Sequence, residues 1–227
     1  MKASSRIVSP LVRAILGAVC RVDSAELVRI PRKGPLIVVV NHINFLESPL
    51  IYTHLYPRNV ASVVKRQTWD NPFIGFLANV WEAIPLDREG TDLQAMRRIQ
   101  EALAAGRIIA LAPEGTRSGH GRLQRGREGI VPIALKSGAP IVPVAHFGGE
   151  RFWDNLKSFR RTRFSFRVGE PFRLRAPEGA LTRATRREMA DEIMNRLAIL
   201  LPRKYRGFYP DPEAAPTRHL DFLGGTA

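Results

Sequence analysis

Cysteine is nearly absent from this chain: Cys20 is the single cysteine in 227 residues. One thiol cannot form an internal disulfide, and it cannot build a cysteine-based zinc cage. Long apolar runs are also missing, since no stretch approaches about 18 uninterrupted apolar residues, so we expect no ordinary transmembrane helix. Neither a disulfide scaffold nor an integral helical membrane protein is indicated.

Acidic residues are scarce relative to basic ones, with 21 Asp and Glu against 35 Lys and Arg, which gives a formal net charge of +14. The hydrophobic share of 44% is ordinary for a globular chain and excludes an intrinsically disordered one. A strongly basic surface attracts nucleic acid, anionic lipid or phosphorylated substrates. A nucleic-acid-binding protein would show aromatic and basic residues interleaved on a sheet face, or a helix-turn-helix pattern, and neither is evident. We therefore expect no nucleic-acid partner.

The N-terminal segment has the pattern of an amphipathic helix. Ser9-Pro10 is typical of a helix start, and apolar residues then recur at helical spacing. These residues are Leu11, Val12, Ile15, Leu16 and Val19, while Arg6, Arg13 and Arg21 project from the other face. The pattern predicts a membrane-surface helix over residues 1–22, with a first helix packed on the core as the alternative. Because Arg13 interrupts the apolar run and residues 17–20 make a poor lipoprotein cleavage box, no signal peptide is predicted.

The rest of the chain alternates between strand and helix patterns. The predicted strands are 36–40, 60–64, 83–86, 108–112, 141–145 and 164–168, and the predicted helices are 71–77, 92–105, 130–136 and 182–201. This alternation indicates an α/β fold with a single central mixed sheet flanked by helices, and a main domain over 23–209. The Pro- and Gly-containing segment 210–227 is predicted to be a loose tail.

A histidine and a carboxylate follow the first buried strand. His42 comes directly after residues 36–40, and Glu47 lies five positions further on. Ligands of open α/β sheets bind outside the carboxyl ends of the strands, so this pair is a plausible general base and its orienting carboxylate. Five residues of regular helix would place the two side chains about 140° apart. The chain must therefore turn between them for the carboxylate to reach the ring.

A second polar turn follows the predicted strand 108–112 and reads Glu114-Gly115-Thr116-Arg117. Gly115 allows close approach of another chain or a ligand, and Arg117 offers a planar fork that matches a phosphate. On its own this turn is a moderate signal of an anion site.

Together the two turns resemble the 1-acylglycerol-3-phosphate acyltransferase family, in which Asn-His, four residues and an Asp precede a Glu-Gly-Thr-Arg block. Here the blocks read Asn41-His42…Glu47 and Glu114–Arg117. The family's arginine block is matched by residues 84–88, ending at Arg88, its Gly-Lys-x-Gly-like block by 126–129, and its Ile-Val-Pro-Val strand by 141–144. The resemblance covers about residues 30–170. Glu47 replaces the family's aspartate, and Arg127 replaces its lysine.

The resemblance implies transfer of an acyl group from acyl-CoA or acyl carrier protein to the free hydroxyl of lysophosphatidic acid or another lysophospholipid. His42 and Glu47 would be catalytic, and Arg88, Arg117 and Arg127 would hold the acceptor phosphate. The block Glu114, Gly115 and Thr116 would complete the substrate site, with Glu114 orienting Arg117 or the glycerol hydroxyl. No cofactor or metal is implied, and the expected location is peripheral, on the cytoplasmic face of an anionic membrane.

The residues are also compatible with three other hypotheses of function. The variant Glu47 is compatible with a different lipid acceptor, such as an amino-acid lipid or a glycolipid. A non-catalytic lipid-binding relative would keep the fold without turnover. A basic nucleic-acid-binding protein is the least supported reading.

Overall fold

The computed structural model describes residues 2–87 and 92–224, and within them it contains α-helices on both faces of one sheet. The helices are α1 (Ser5–Val19), α2 (Glu47–Leu55), α3 (Pro72–Val80), α4 (Leu93–Ala104), α5 (Ile130–Ser137), α6 (Phe152–Lys157) and α7 (Arg183–Ile199). The strands are β1 (Cys20–Asp23), β2 (Leu36–Val40), β3 (Val60–Lys65), β4 (Ile84–Leu86), β5 (Ile108–Leu111), β6 (Ile141–Phe147), β7 (Thr162–Val168), β8 (Phe172–Leu174) and β9 (Leu220–Phe222).

The sheet has the order β1-β7-β6-β2-β5-β3-β4, and β8 joins β6 to β9 at one side. Strands β6, β2, β5, β3 and β4 are parallel, whereas β7 and β8 pair antiparallel with β6. The predicted α/β fold with one central mixed sheet is therefore confirmed. Because β2, β5 and β6 are neighbours and parallel, their carboxyl ends meet at one edge of the sheet, which we call the carboxyl edge.

Two apolar layers cover the sheet, and this explains why its central strands are continuous apolar runs. Alternate residues of β2 enter opposite layers: Ile37 and Val39 pack towards α4, α5 and α7, while Leu36 and Val38 pack towards α1, α2 and α3. All four side chains are at most 1% exposed. Burial on both faces fixes the direction of β2, and thereby the position at which the chain leaves it.

The N-terminal helix differs from its predicted form. It begins at Ser5, so Pro10 lies inside it rather than at its start, and the Ser9 hydroxyl accepts a buried hydrogen bond of 3.0 Å from the Trp81 indole instead of capping the helix. Residues 20–22, assigned to the helix from sequence, belong to β1, which pairs parallel with β7. The described part of this segment, residues 2–22, is therefore joined to the core.

The C-terminal segment also departs from its prediction. Residues 210–224 are tied to the domain, because β9 pairs antiparallel with β8 and Leu220 is 5% exposed. The Phe222 ring packs edge-on against Phe172, with the centroids 6.0 Å apart. Sequence composition suggested a loose tail, but two apolar residues in a short strand are enough to extend the sheet.

The described helices include none that combines the length and hydropathy required to cross a bilayer. The longest described helix is α7, and it is rich in charged side chains.

Candidate active site

The chain turns sharply after β2, and this turn brings a histidine and a carboxylate together. Residues 41–46 are irregular, and Glu47 is the first residue of α2. The His42 Nδ1 atom lies 3.4 Å from Glu47 Oε2, so the expected pair forms. This separation exceeds that of a full hydrogen bond, as is common for catalytic pairs without substrate. The contact holds one ring nitrogen of His42 and leaves Nε2 for another group.

Glu47 also stabilises the backbone of the same turn. Its Oε1 atom accepts hydrogen bonds from the backbone N–H groups of Ile43 at 2.7 Å and Asn44 at 2.6 Å, and the residue is 2% exposed. Burial raises the pKa of this carboxyl, but the nearby His42 and His146 and the Asn44 N–H outweigh burial and hold the pKa below its usual value. Glu47 is therefore an anion that faces His42.

The peptide bond between Asn41 and His42 is held at both ends by buried side chains. Its N–H, on His42, donates to Glu114 Oε1 at 2.6 Å, and its C=O, on Asn41, accepts from His146 Nε2 at 2.5 Å. Glu114 follows β5, and His146 lies near the end of β6, so each of the two strands beside β2 contributes one contact. The backbone of the candidate base is thereby fixed from both sides.

His146 lies outside the sequence motifs, and sequence reasoning missed this contact. His146 is fully buried, its backbone N–H and C=O pair with the Asn41 side-chain amide at 2.8 Å each, and its ring stacks on Phe164. Burial lowers the pKa of His146, and its Nε2 is the donor in this contact because a carbonyl oxygen only accepts. A polar residue near the carboxyl end of the strand next to β2 is the signal that could have identified it.

Glu114 contacts backbone groups rather than an arginine. Its second oxygen accepts from the Gln124 N–H at 2.8 Å, so both oxygens position main chain, and neither orients Arg117 as the sequence suggested. The residue is 3% exposed, and burial raises its pKa to about 7 against the opposing effect of these N–H groups.

Two arginines lie beside this turn. Gly115 has a φ of +69°, and an added Cβ would lie 2.6 Å from Arg127 Nε, so only glycine leaves room for the Arg127 side chain there. Arg117 is exposed and directly precedes Ser118, whose N–H donates to the His42 carbonyl at 2.8 Å. Within residues 2–87 and 92–224, neither guanidinium pairs with a carboxylate. Both cations are therefore available to an anion.

The remaining predicted site residues are Thr116 and Arg88. Thr116 is exposed, and its carbonyl accepts from the Gln124 amide at 3.1 Å. Arg88 lies outside the described residues. The residue before it, Asp87, pairs with Arg66 Nε at 2.8 Å.

The raised pKa of Glu114 predicts a pH dependence of stability. Between about pH 4.5 and about pH 7 the folded protein keeps a proton on this carboxyl that the unfolded chain has released, so stability falls as the pH rises. The free energy of unfolding should fall by up to about 3 kcal/mol across this window relative to Glu114→Gln. Urea denaturation at about pH 4.5, 6 and 8 measures the difference. The exposed Glu170→Gln should follow the wild type, and a wild-type minus Glu114→Gln difference that is independent of pH would contradict the assignment.

Comparison with solved structures supports the fold. The chain resembles the crystal structure of the 1-acyl-sn-glycerophosphate (LPA) acyltransferase PlsC from Thermotoga maritima, with a TM-score of 0.61 and 22% sequence identity. The likeness covers 83% of this chain and 75% of that one.

Curated relatives carry related names. The chain is 32% identical over 117 residues to the chloroplastic 1-acyl-sn-glycerol-3-phosphate acyltransferase BAT2 of Brassica napus, covering 50% of this chain and 33% of that protein. It is 28% identical over 146 residues to the 1-acyl-sn-glycerol-3-phosphate acyltransferase of Pseudomonas aeruginosa, covering 63% and 54%. The chain thus spans between a third and about half of the length of these relatives.

The family model described as Acyltransferase matches residues 21–146, a range that contains the His42 turn, the Glu114–Arg117 turn and His146. Because this match extends over more than half of the chain, the chain belongs to the acyltransferase family.

Proposed function

We propose that this protein transfers a fatty acyl group from an acyl thioester to the free hydroxyl of lysophosphatidic acid or another lysophospholipid. The observation that carries the proposal is the His42–Glu47 pair at the carboxyl edge, with Nδ1 facing a buried carboxylate at 3.4 Å and Nε2 left for a substrate. The donor is acyl-CoA or acyl carrier protein, and the curated relatives named as acyltransferases support this class of reaction.

The proposed reaction needs one base and no covalent enzyme intermediate. His42 Nε2 takes the proton of the acceptor hydroxyl as its oxygen bonds to the thioester carbonyl carbon. The C–S bond then breaks, and the imidazolium returns the proton to the departing thiolate. The Glu47 carboxylate orients the ring and stabilises its charged form, as the carboxylate does in hydrolase triads.

The developing oxyanion needs backbone donors that are free. The Gly115 N–H is already bonded to the Ala112 carbonyl at 3.0 Å, so it is not free to bind the oxyanion. The next two N–H groups, of Thr116 and Arg117, donate to no acceptor in the described part of the chain. We assign the oxyanion to them.

The Arg117 and Arg127 guanidiniums support an acceptor with a phosphate, because both belong to the segment whose residues bond the His42 backbone, and neither has a carboxylate partner in the described ranges. An acceptor without a phosphate, such as a glycolipid, is the second candidate, and it is favoured by Glu47 in place of the family's aspartate.

The direct test is an assay of the purified protein with radiolabelled acyl-CoA or acyl carrier protein and a panel of lyso-lipids. Transfer to phosphorylated lyso-lipids supports the proposal. Transfer only to acceptors that lack a phosphate would replace it with the second candidate, and no transfer to any acceptor would reject both.

Removing the base should abolish transfer without unfolding the protein. We expect His42→Ala to lower kcat by ~10²–10⁴, Glu47→Gln to lose most activity because it loses the charge, and Glu47→Asp to retain a substantial part. His54→Ala is the matched control, since that ring bonds the carbonyl of its own helix at Leu50. Steady-state kinetics decide: His42→Ala within a few-fold of wild type, or equal kcat for Glu47→Gln and wild type, would disprove the assigned roles.

The arginine assignment predicts an effect that depends on the acceptor. Arg117→Lys should raise KM for a phosphorylated lyso-lipid and leave KM for the donor unchanged, because lysine lacks the bidentate fork. Arg117→Ala should also lower kcat through a misplaced hydroxyl. Arg97→Lys, with a side chain 83% exposed on α4, is the control. Equal losses on acceptors with and without the phosphate would make Arg117 a structural residue.

The protein is also proposed to bind the cytoplasmic face of an anionic membrane through α1. The predicted apolar face is divided in the structure: Leu16 is buried, whereas Leu11 and Ile15 are 58% and 57% exposed, and Ile7, which was not part of the prediction, is 75% exposed. These three residues recur every fourth position and form one stripe along the helix, which we call the outer stripe. An exposed apolar stripe beside Arg6 and Arg13 is typical of a helix that lies on a lipid surface.

Replacing all three residues of the outer stripe (Ile7→Gln, Leu11→Gln and Ile15→Gln) should release the protein from vesicles. At about 1 kcal/mol for each partly inserted side chain, the triple variant should partition ~100-fold more weakly onto phosphatidylcholine vesicles that contain phosphatidylglycerol. Leu93→Gln, equally exposed at 75% but on α4 in the opposite layer, should bind as wild type. Co-sedimentation at low and high salt measures both. Unchanged binding of the triple variant would exclude α1 as the contact.

A further inference from the structure

The chain leaves α6 through a short loop, residues 157–161, that presents a phenylalanine to solvent. Phe159 is 99% exposed, the highest value among the large apolar side chains that the structure describes. Its φ is +52°, a left-handed conformation that is unfavourable for a residue with a bulky side chain. We call residues 157–161 the aromatic loop.

The backbone of the aromatic loop is fixed. The Phe159 N–H donates to the Leu156 carbonyl at 3.1 Å, and the Arg160 N–H donates to the Asn155 carbonyl at 2.7 Å. These bonds hold the ring outwards, although both the exposure of the ring and the φ of its backbone are unfavourable in water. An apolar medium would remove the first of these two penalties.

The loop is also strongly basic. Lys157 and Arg160 of the loop and Arg163, near the start of β7, are exposed, and none of them pairs with a carboxylate within the described part of the chain. Cations around an exposed aromatic ring match a surface that is anionic at its face and apolar beneath it. A bilayer with anionic headgroups has this composition.

The position of the loop ties it to the candidate active site. It leads into β7, which begins at the carboxyl edge because β7 is antiparallel to β6. On the inner side, the half-exposed Trp153 of α6 packs on Phe45, three residues after His42, with ring centroids 5.4 Å apart. Trp153 therefore connects α6 to the turn that carries His42.

The loop is joined to α1 as well. The Arg161 guanidinium donates to the carbonyls of Gly17 and Cys20, at and just beyond the C-terminal end of α1. Ile15 of the outer stripe lies only two residues before Gly17. The aromatic loop and the outer stripe therefore lie close enough to meet one surface.

We propose that the aromatic loop inserts Phe159 into an anionic lipid surface, and so holds the carboxyl edge against the membrane that supplies the acceptor. This inference rests on the proposed lipid acceptor. A protein partner is less well matched, because a single protruding ring on a convex loop offers no groove or flat face to bury. A lipid surface yields to such a protrusion.

Insertion can be observed directly, because the chain has one native cysteine and it is 1% exposed. A fluorophore sensitive to polarity is attached to Phe159→Cys and, as the matched control, to Phe208→Cys. Phe208 is 54% exposed and packs on Tyr209, which belongs to the apolar layer opposite to that of α6. Vesicles of phosphatidylcholine with phosphatidylglycerol should shift the emission of the label at 159 to the blue and leave the label at 208 unchanged. A label at 159 that stays in water while the protein is vesicle-bound would overturn the proposal.

The affinity of the protein for vesicles provides an independent test. Phe159→Ser should weaken vesicle partitioning ~10-fold or more, and Lys157→Gln with Arg160→Gln by about fivefold per charge at low salt, whereas Phe208→Ser should have no effect. Equal binding of Phe159→Ser and wild type would reject the proposal, as would a response of the label to an acidic acyl carrier protein but not to vesicles. These arms need no turnover, so a protein that binds through Phe159 but transfers no acyl group would contradict the proposed function alone.

Discussion

The site depends on how a single peptide bond is held. The bond between Asn41 and His42 donates to the buried Glu114 and accepts from the buried His146, and these side chains come from the strands on either side of β2. Neither contact can form unless β5, β2 and β6 are parallel and in register. The order of the sheet is therefore what gives the candidate base its fixed backbone, and Glu47 then only has to orient the ring.

Much of the fold follows from the sequence because its signals are local. The run 36–40, the helix that begins after Asp92 and the helix that begins after Thr182 all show their periodicity or their caps, and the structure has them within one or two residues. The turn between His42 and Glu47 was also predictable, since a regular helix would separate the two side chains.

Other features depend on contacts between distant residues and have no local signal. The Ser9 hydroxyl, predicted to start α1, instead accepts from Trp81, 72 positions away. The contacts of His146 with Asn41 span 105 positions, and the pairing of β9 with β8 is equally invisible to composition. Glu114 was assigned to the acceptor from a resemblance, and only the structure reveals that both of its oxygens bind main chain.

A fixed base, available cations and exposed apolar side chains meet at the carboxyl edge. The central claim is that Glu47 holds His42 in the tautomer that leaves Nε2 free to accept a proton. The most direct measurement is the ¹⁵N spectrum of the protein with labelled histidine side chains, at alkaline pH, with His42 assigned by comparison with His42→Ala. The account predicts a proton on Nδ1 and an unprotonated Nε2. A proton on Nε2 would contradict it, because Nε2 could then not accept the hydroxyl proton, and Nδ1, which faces Glu47, would have no proton to donate to the carboxylate.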